Sequence, residues 1–253
     1  MTLFRVFFII NLMEEKNMDL RDIFSDALTF PFNNIISFIV YLVLGIVAGL
    51  AVGGSLAGIA IGMNSNSILT ILGSGFLGFV VAAVIAFIIS GYGLDIIKSG
   101  IYRSADGPSI DPLRQLLNGL KLFIVSIVYY IIPFIIVSVL SIFFRDWIML
   151  VITFILYVIF GLALFMAQCR LAKTEDLGSA LAIGEAIGDI SRVGIVNLLL
   201  FVVISMAIVF ILILVAALIA RWNSFVGGIL LGIVGVYISF FISRATGLLY
   251  SNV

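Results

Sequence analysis

Apolar residues run through this chain in long, unbroken stretches. They do not alternate as in a strand, and they are too broad for the single stripe of a soluble helix. Six stretches, 35–62, 68–94, 121–144, 147–168, 193–220 and 225–243, carry almost no charge. A helix needs about 20 apolar residues to cross a hydrocarbon core of about 30 Å, so each stretch is long enough. Open strands at that depth would leave backbone groups unpaired, and the period of two that marks a membrane barrel is missing. The pattern predicts an all-α polytopic bundle of six spans in three hairpins, with short turns at 63–67, 145–146 and 221–224.

A shorter amphipathic stretch precedes each odd-numbered span. Leu20, Ile23, Phe24, Ala27 and Leu28 follow the spacing of one helix face. Asp19 caps this stretch with Asp22 in its first turn, and Pro31 closes it. Leu113, Leu116, Leu117 and Leu120 form a second stripe, with Asp111 as cap and Pro112 at the first helical position. Leu177, Ala180, Leu181, Gly184, Ile187, Gly188 and Ser191 form a third, capped by Thr174 or Asp176. Helices of this kind lie in the membrane interface. The chain therefore reads as a loose threefold repeat, with copies starting near Asp19, Asp111 and Asp176. Mitochondrial-type carriers also use three hairpins, but their amphipathic helices lie within each pair of spans. Their recurrent proline–acid–base motif is absent here, since Pro133 is followed by Phe, Ile, Ile and Val.

Composition strengthens the membrane reading. Of the residues 64% are hydrophobic and 10% charged, against roughly 45–50% and about 25% in soluble domains. The mean hydropathy is +1.36. Eleven of the thirteen Lys and Arg residues fall on one side of the six spans, and only Arg145 and Arg221 on the other. By the positive-inside rule both termini are cytoplasmic, in a multi-pass protein of the plasma membrane. A net charge of zero argues against nucleic acid as a partner. There is no histidine, and Cys169 is the single cysteine. The commonest general base and the usual metal ligands are therefore missing. No cofactor, metal site or catalytic residue is expected, and the protein is read as not an enzyme.

Candidate sites are correspondingly few. Gly45, Gly49 and Gly53 recur at every fourth residue, as do Gly54, Gly58 and Gly62, and Gly228 with Gly232. Small residues at that spacing let helices approach closely. The first span must tilt, or break near Gly53 and Gly54. Tyr129, Tyr130, Pro133 and Asn197 form a candidate polar site inside the membrane, with local packing as the simpler reading. The Gly91-Tyr-Gly-Leu-Asp95 segment is near an intramembrane aspartyl protease motif, but its aspartate comes one residue late and no second acid joins it. A surface pair of Asp95 with Lys98 fits better. Glu185 and Asp189 are neutralised by Arg192 or receive a partner's cations, and no charge is expected to be buried. Lys98, Arg103, Arg114, Lys121, Arg170 and Lys173 are candidate contacts for anionic lipid headgroups.

Three stretches resemble a known family. They are Met18-Asp-Leu-Arg-Asp-Ile-Phe-Ser-Asp-Ala-Leu28 leading to Pro31, Gly91-Tyr92 with Asp95-Ile-Ile-Lys98, and Asn118-Gly-Leu-Lys121 with Tyr130-Ile-Ile-Pro133. A fainter likeness runs from Met166 to Gly194. The chain resembles the DUF4013 family of uncharacterised membrane proteins, seen largely in methanogenic archaea. The resemblance implies several spans and no known activity, and it supplies no catalytic residue. The sequence as a whole favours binding or translocation of a lipid or other amphipathic molecule. The alternative is an accessory subunit that scaffolds a membrane-protein partner.

Residues 18–253 read as a single membrane domain. Residues 1–17 read as a non-native or disordered extension, too short in its apolar run to span and with no small-residue cleavage site. Since the first amphipathic helix begins right after Met18, the natural chain is expected to start there. The intact mass of the native protein checks this, and a mass that includes Met1 refutes it.

Overall fold

The computed structural model describes residues 18–144, 146–220 and 224–253. The expected extension at 1–17 lies outside them. All regular structure among the described residues is helical. The helices are α1 (Leu20–Asn33), α2 (Ile35–Asn64), α3 (Ile68–Ile101), α4 (Pro112–Leu140), α5 (Asp146–Thr174), α6 (Leu177–Leu181), α7 (Ile183–Val193), α8 (Ile195–Ala220) and α9 (Ser224–Tyr250). Of these, α2, α3, α4, α5, α8 and α9 are long and apolar enough to cross a membrane.

Several expected boundaries change. Pro31 does not close α1, which runs on to Asn33. A proline in the last turn forfeits a single backbone bond, and the Asn34 amide and side chain both donate to the Phe30 carbonyl to finish the helix. The Asp19 side chain makes no cap bond; its carbonyl receives the Asp22 and Ile23 amides instead. The second amphipathic stretch is not a separate helix, because α4 is continuous from Pro112 to Leu140. Nothing between Leu113 and Lys121 interrupts its backbone bonding, and Gly119 is held tightly against α3. The Asp111 side chain does cap it, accepting from the Arg114 amide at 3.2 Å. The third stretch is two short helices separated at Ala182, the first capped by Asp176 on the Ser179 amide at 2.7 Å. Gly194 then turns the chain from α7 into α8 at a φ of +91°, a conformation open to glycine.

Helix α2 passes Gly53 and Gly54 without a break. Its 30 residues make about 45 Å of helix, longer than the hydrocarbon core, so it tilts or projects. Helix α9 continues to Tyr250, seven residues past the expected end of the sixth span. The charge of Arg244, which seemed to end the span, is neutralised inside the bundle by Asp26.

Helix α3 is the hub, packed against α2, α4, α5 and α9. Its glycines set the distances. A Cβ on Gly91 would strike the Gln115 carbonyl of α4, and one on Gly119 would strike the Phe87 carbonyl of α3. Gly100 and Gly247 press together in the same way, with Gly247 against the Ile97 carbonyl. The backbone of α4 thus nearly touches α3 at Phe87 and Gly91, and that of α9 nearly touches it at Ile97 and Gly100. Around it lie two cores. One gathers Phe24, Tyr129, Met166, Leu171, Phe201 and Phe241. The other stacks Tyr41 on Tyr92 at 4.0 Å, with Phe240 against both. Both lie toward the end of the bundle that carries most of the cations, here called the basic end. In the far half burial is sparse, with Gly62, Gly78 and Ala216 among the few buried residues described there.

Gly91→Ala and Gly119→Ala should each lower stability in detergent by about 1–3 kcal/mol, the usual cost of overpacking. Gly53→Ala, where a Cβ meets nothing within 4 Å, should be neutral. Thermal unfolding of the three purified variants checks both expectations, and equal midpoints would refute the α3 hub.

Candidate functional site

The basic end holds the ion pairs found among the described residues, in three clusters. In the first, Asp95 of α3 is 8% exposed. It receives Arg114 Nη2 at 3.1 Å and Asn118 Nδ2 at 3.2 Å, with Gln115 Nε2 at 3.5 Å. Gln115 is itself buried and accepts from the Tyr41 hydroxyl of α2. The expected Asp95–Lys98 pair does not form. An i, i+3 pair was open to both, but Asp95 is taken up by three donors of α4 while Lys98 reaches the residue after α5. There Lys98 pairs with Glu175, whose carbonyl also takes Lys121 Nζ at 3.1 Å. The Lys98 hydrogen bond, aided by its charge, holds the Glu175 carboxyl below its ordinary range. That contribution is present at neutral pH and is lost as pH falls through the carboxylate range.

The second cluster centres on Asp189 of α7, which is fully buried. Arg170 Nη1 of α5 donates to one of its oxygens at 3.1 Å, and so does the Tyr250 hydroxyl of α9 at 2.7 Å. Arg192 Nη1 donates to the other at 3.0 Å. Arg170 also pairs with Glu185 and donates to the Ser179 carbonyl at 3.0 Å. Asp189 thus pairs with Arg192, and with a second arginine from another helix besides. In the third cluster Arg244 of α9 is 2% exposed. Its Nε donates to Asp26 of α1 at 2.6 Å and its Nη1 to the Ser104 carbonyl at 2.7 Å, while the guanidinium lies 4.7 Å from the centre of the Phe30 ring.

Three charged groups are therefore buried where none was expected. Each is desolvated near a helix end and accompanied by opposite charge or several donors, the condition under which a buried ion is tolerated. Sequence reasoning missed Asp26, Gln115, Arg244 and Tyr250 because their partners come from distant parts of the chain. The Asp189–Tyr250 and Asp26–Arg244 bonds close over 61 and 218 residues.

The other candidate residues fall as follows. All six cations assigned to headgroups are engaged within the chain. Beyond the contacts above, Arg103 donates to Ser251 and Asn252, and Lys173 lies over the Tyr250 ring. Tyr129 is buried and its hydroxyl donates to the Ala180 carbonyl at 3.0 Å, Pro133 is buried, and Tyr130 is exposed. Asn197 is exposed and close to Gly194. Gly45 meets α9 at Val236 and Gly232, while Gly58 and Gly62 meet α3 at Ser74 and Ile71. Gly49, Gly53 and Gly54 are exposed, and the surroundings of Gly228 lie outside the described residues.

Two hollows open at this end. A water-sized one of about 10 Å³ lies between Asp95, Lys98, Asn118 and Glu175. A larger one of about 530 Å³ lies between the starts of α1 and α8 and the ends of α7 and α9. Among the described residues, no cluster of His, Cys, Asp and Glu gathers as a metal site. Asp95 and Asp189 are both occupied by arginine, so neither stands ready as a general base. Asp189→Ala would remove the buried acceptor shared by Arg170, Arg192 and Tyr250, leave Arg170 its Glu185 and Ser179 contacts, and should cost about 3 kcal/mol. Tyr250→Phe, which removes one bond to a charged group, should cost about 1.5–3 kcal/mol. Unfolding in detergent measures both, and an Asp189→Ala chain as stable as the parent would refute the cluster's role.

No curated protein and no solved structure matches the chain. One family model does, that of the protein of unknown function DUF4013, over residues 75–221. The match takes in the Gly91–Lys98, Asn118–Pro133 and Met166–Gly194 stretches and leaves out the opening at Met18, and nothing in it bears on an archaeal source. Since it covers more than half of the sequence, this integral membrane chain belongs to the DUF4013 family.

Proposed function

We propose that the protein binds, without catalysis, a lipid or similar amphipathic molecule, and translocates it or holds it in the bilayer. One observation carries this reading: the bundle is fastened by ion pairs at the basic end, and beyond it, although α2 and α3 still pack closely at Gly58, Gly62 and Gly78, much of the described apolar surface is exposed. The ionic clusters all join helices at that end. In the far half Gly53, Gly54 and Gly73 face open space, and the described side chains carry no charge apart from Asp146, their polar groups being mostly small hydroxyls such as Ser55, which donates to the Ser74 carbonyl at 2.8 Å. An ion or sugar would need a polar path through that half, whereas an acyl chain needs only an apolar surface it can enter from the side. On this reading the membrane is the plasma membrane, the basic end is cytoplasmic and the immediate partner is lipid.

A second reading has an observation of its own. Ile68, Leu69, Phe76 and Phe79 of α3 are each at least 69% exposed, and such a face could seat a helix of a partner membrane protein. The protein would then be an accessory subunit.

Native mass spectrometry of the protein released from its own membrane in nanodiscs separates the two. A lipid or small amphiphile that survives gentle activation is the expected result. A second polypeptide at fixed stoichiometry, with no small ligand, would replace the lipid reading with the accessory one.

A further inference from the structure

We propose that the larger hollow at the basic end binds the phosphate of a lipid headgroup, gripped by Arg21 and Arg192. The proposal deepens the lipid reading above and rests on it. At about 530 Å³ the hollow falls within the common range for small-molecule sites, roughly 300–1,000 Å³. Its lining is amphipathic, with Arg21, Arg192 and Asn197 on the polar side and Leu20, Val193 and Leu249 on the apolar side.

The two arginines keep more of their donors free than most basic groups described at this end. Lys98, Arg114, Lys121, Arg170 and Arg244 each hold an acid or a carbonyl of the chain. Arg21 is exposed and has no hydrogen bond or ion pair among the described residues, and the same holds for the Asn197 side chain's hydrogen bonds. Arg192 gives one N–H to Asp189, its only described partner, and its side chain is 69% exposed. Most of its five donors therefore remain available. A guanidinium presents paired N–H groups whose spacing matches two phosphate oxygens. Two such forks, from the first turn of α1 and the last turn of α7, open on one space. Asp19 also lines it, a single carboxylate against two guanidinium groups. The turn at Gly194 sets Arg192 beside the first turn of α8. There Ile195, Val196, Leu199 and Leu200 are exposed and offer an acyl chain a path away from the headgroup into the bilayer.

The test uses the full chain in nanodiscs containing equal amounts of phosphatidylglycerol and monogalactosyl diacylglycerol with matched acyl chains. Retained lipid is read by native mass spectrometry. Phosphatidylglycerol should be retained about fivefold over the galactolipid, the effect of one well-placed cation. The preference should fall to near parity in Arg21→Gln, an exposed site whose change leaves the fold intact. It should persist in Lys173→Gln, which removes a cation elsewhere at the same end. A parallel arm adds millimolar inorganic phosphate to lipid-free protein in detergent. A thermal stabilisation that disappears in Arg21→Gln would support the phosphate site with a free anion as its source. Equal retention of the two lipids, or a preference unchanged in Arg21→Gln, overturns the site while leaving general lipid binding intact. No retained lipid at all, together with an Arg21-dependent phosphate shift, keeps the site and removes the lipid reading.

Discussion

Helices inside a bilayer gain nothing from hiding apolar side chains from one another, because lipid tails are as apolar as leucine. What holds this bundle is backbone brought against backbone. Gly91, Gly100, Gly119 and Gly247 let α4 and α9 press onto α3 until a single added carbon would collide. Every other arrangement at the basic end presupposes that closeness. Tyr41 can reach Gln115, and Gln115 can reach Asp95, only because α3 and α4 are this near.

Polar contacts then convert proximity into a unique arrangement. Asp189 ties α5, α7 and α9 through three donors, and Arg244 ties α9 to α1 and to the segment after α3. Replacing such a buried group with a fitted apolar one can be neutral, whereas removing one partner is costly. The clusters are thus weak as sources of stability and strong as selectors of which helices meet. The far half has few such selectors, and there α2 and α3 meet mainly through Gly58, Gly62 and Gly78.

The sequence made the six apolar helices plain, since length and hydropathy alone decide whether a helix can span. It also exposed the caps at Asp111 and Asp176, which are local chemistry. It failed where two distant segments had to be matched. Asp95 was visible, but its nearest cation in sequence was the wrong one. Gly91 was noticed in an enzyme motif that it does not complete and in the family resemblance, and neither pointed to its contact with α4. The glycine ladder of α2 was conspicuous by its spacing, yet a Cβ on Gly53 or Gly54 would meet nothing while one on isolated Gly119 would strike the Phe87 carbonyl. Spacing reveals a face of a helix and is silent about what faces it. The continuity of α4 was hidden for a related reason. A polar first third followed by an apolar remainder looks like two elements, although nothing in the backbone separates them.

The clustering of cations at one end also has a consequence in time. Lys and Arg beside an emerging apolar segment bias which way it is inserted, before any helix has found its neighbours. In the folded chain Lys98, Arg114, Arg170 and Arg244 have each been taken up by an acid. The same atoms thus serve first as an address and later as a fastening. Evolution cannot adjust one role without disturbing the other, so an arginine here is constrained twice over: once by the membrane it must not cross and once by the carboxylate it must find.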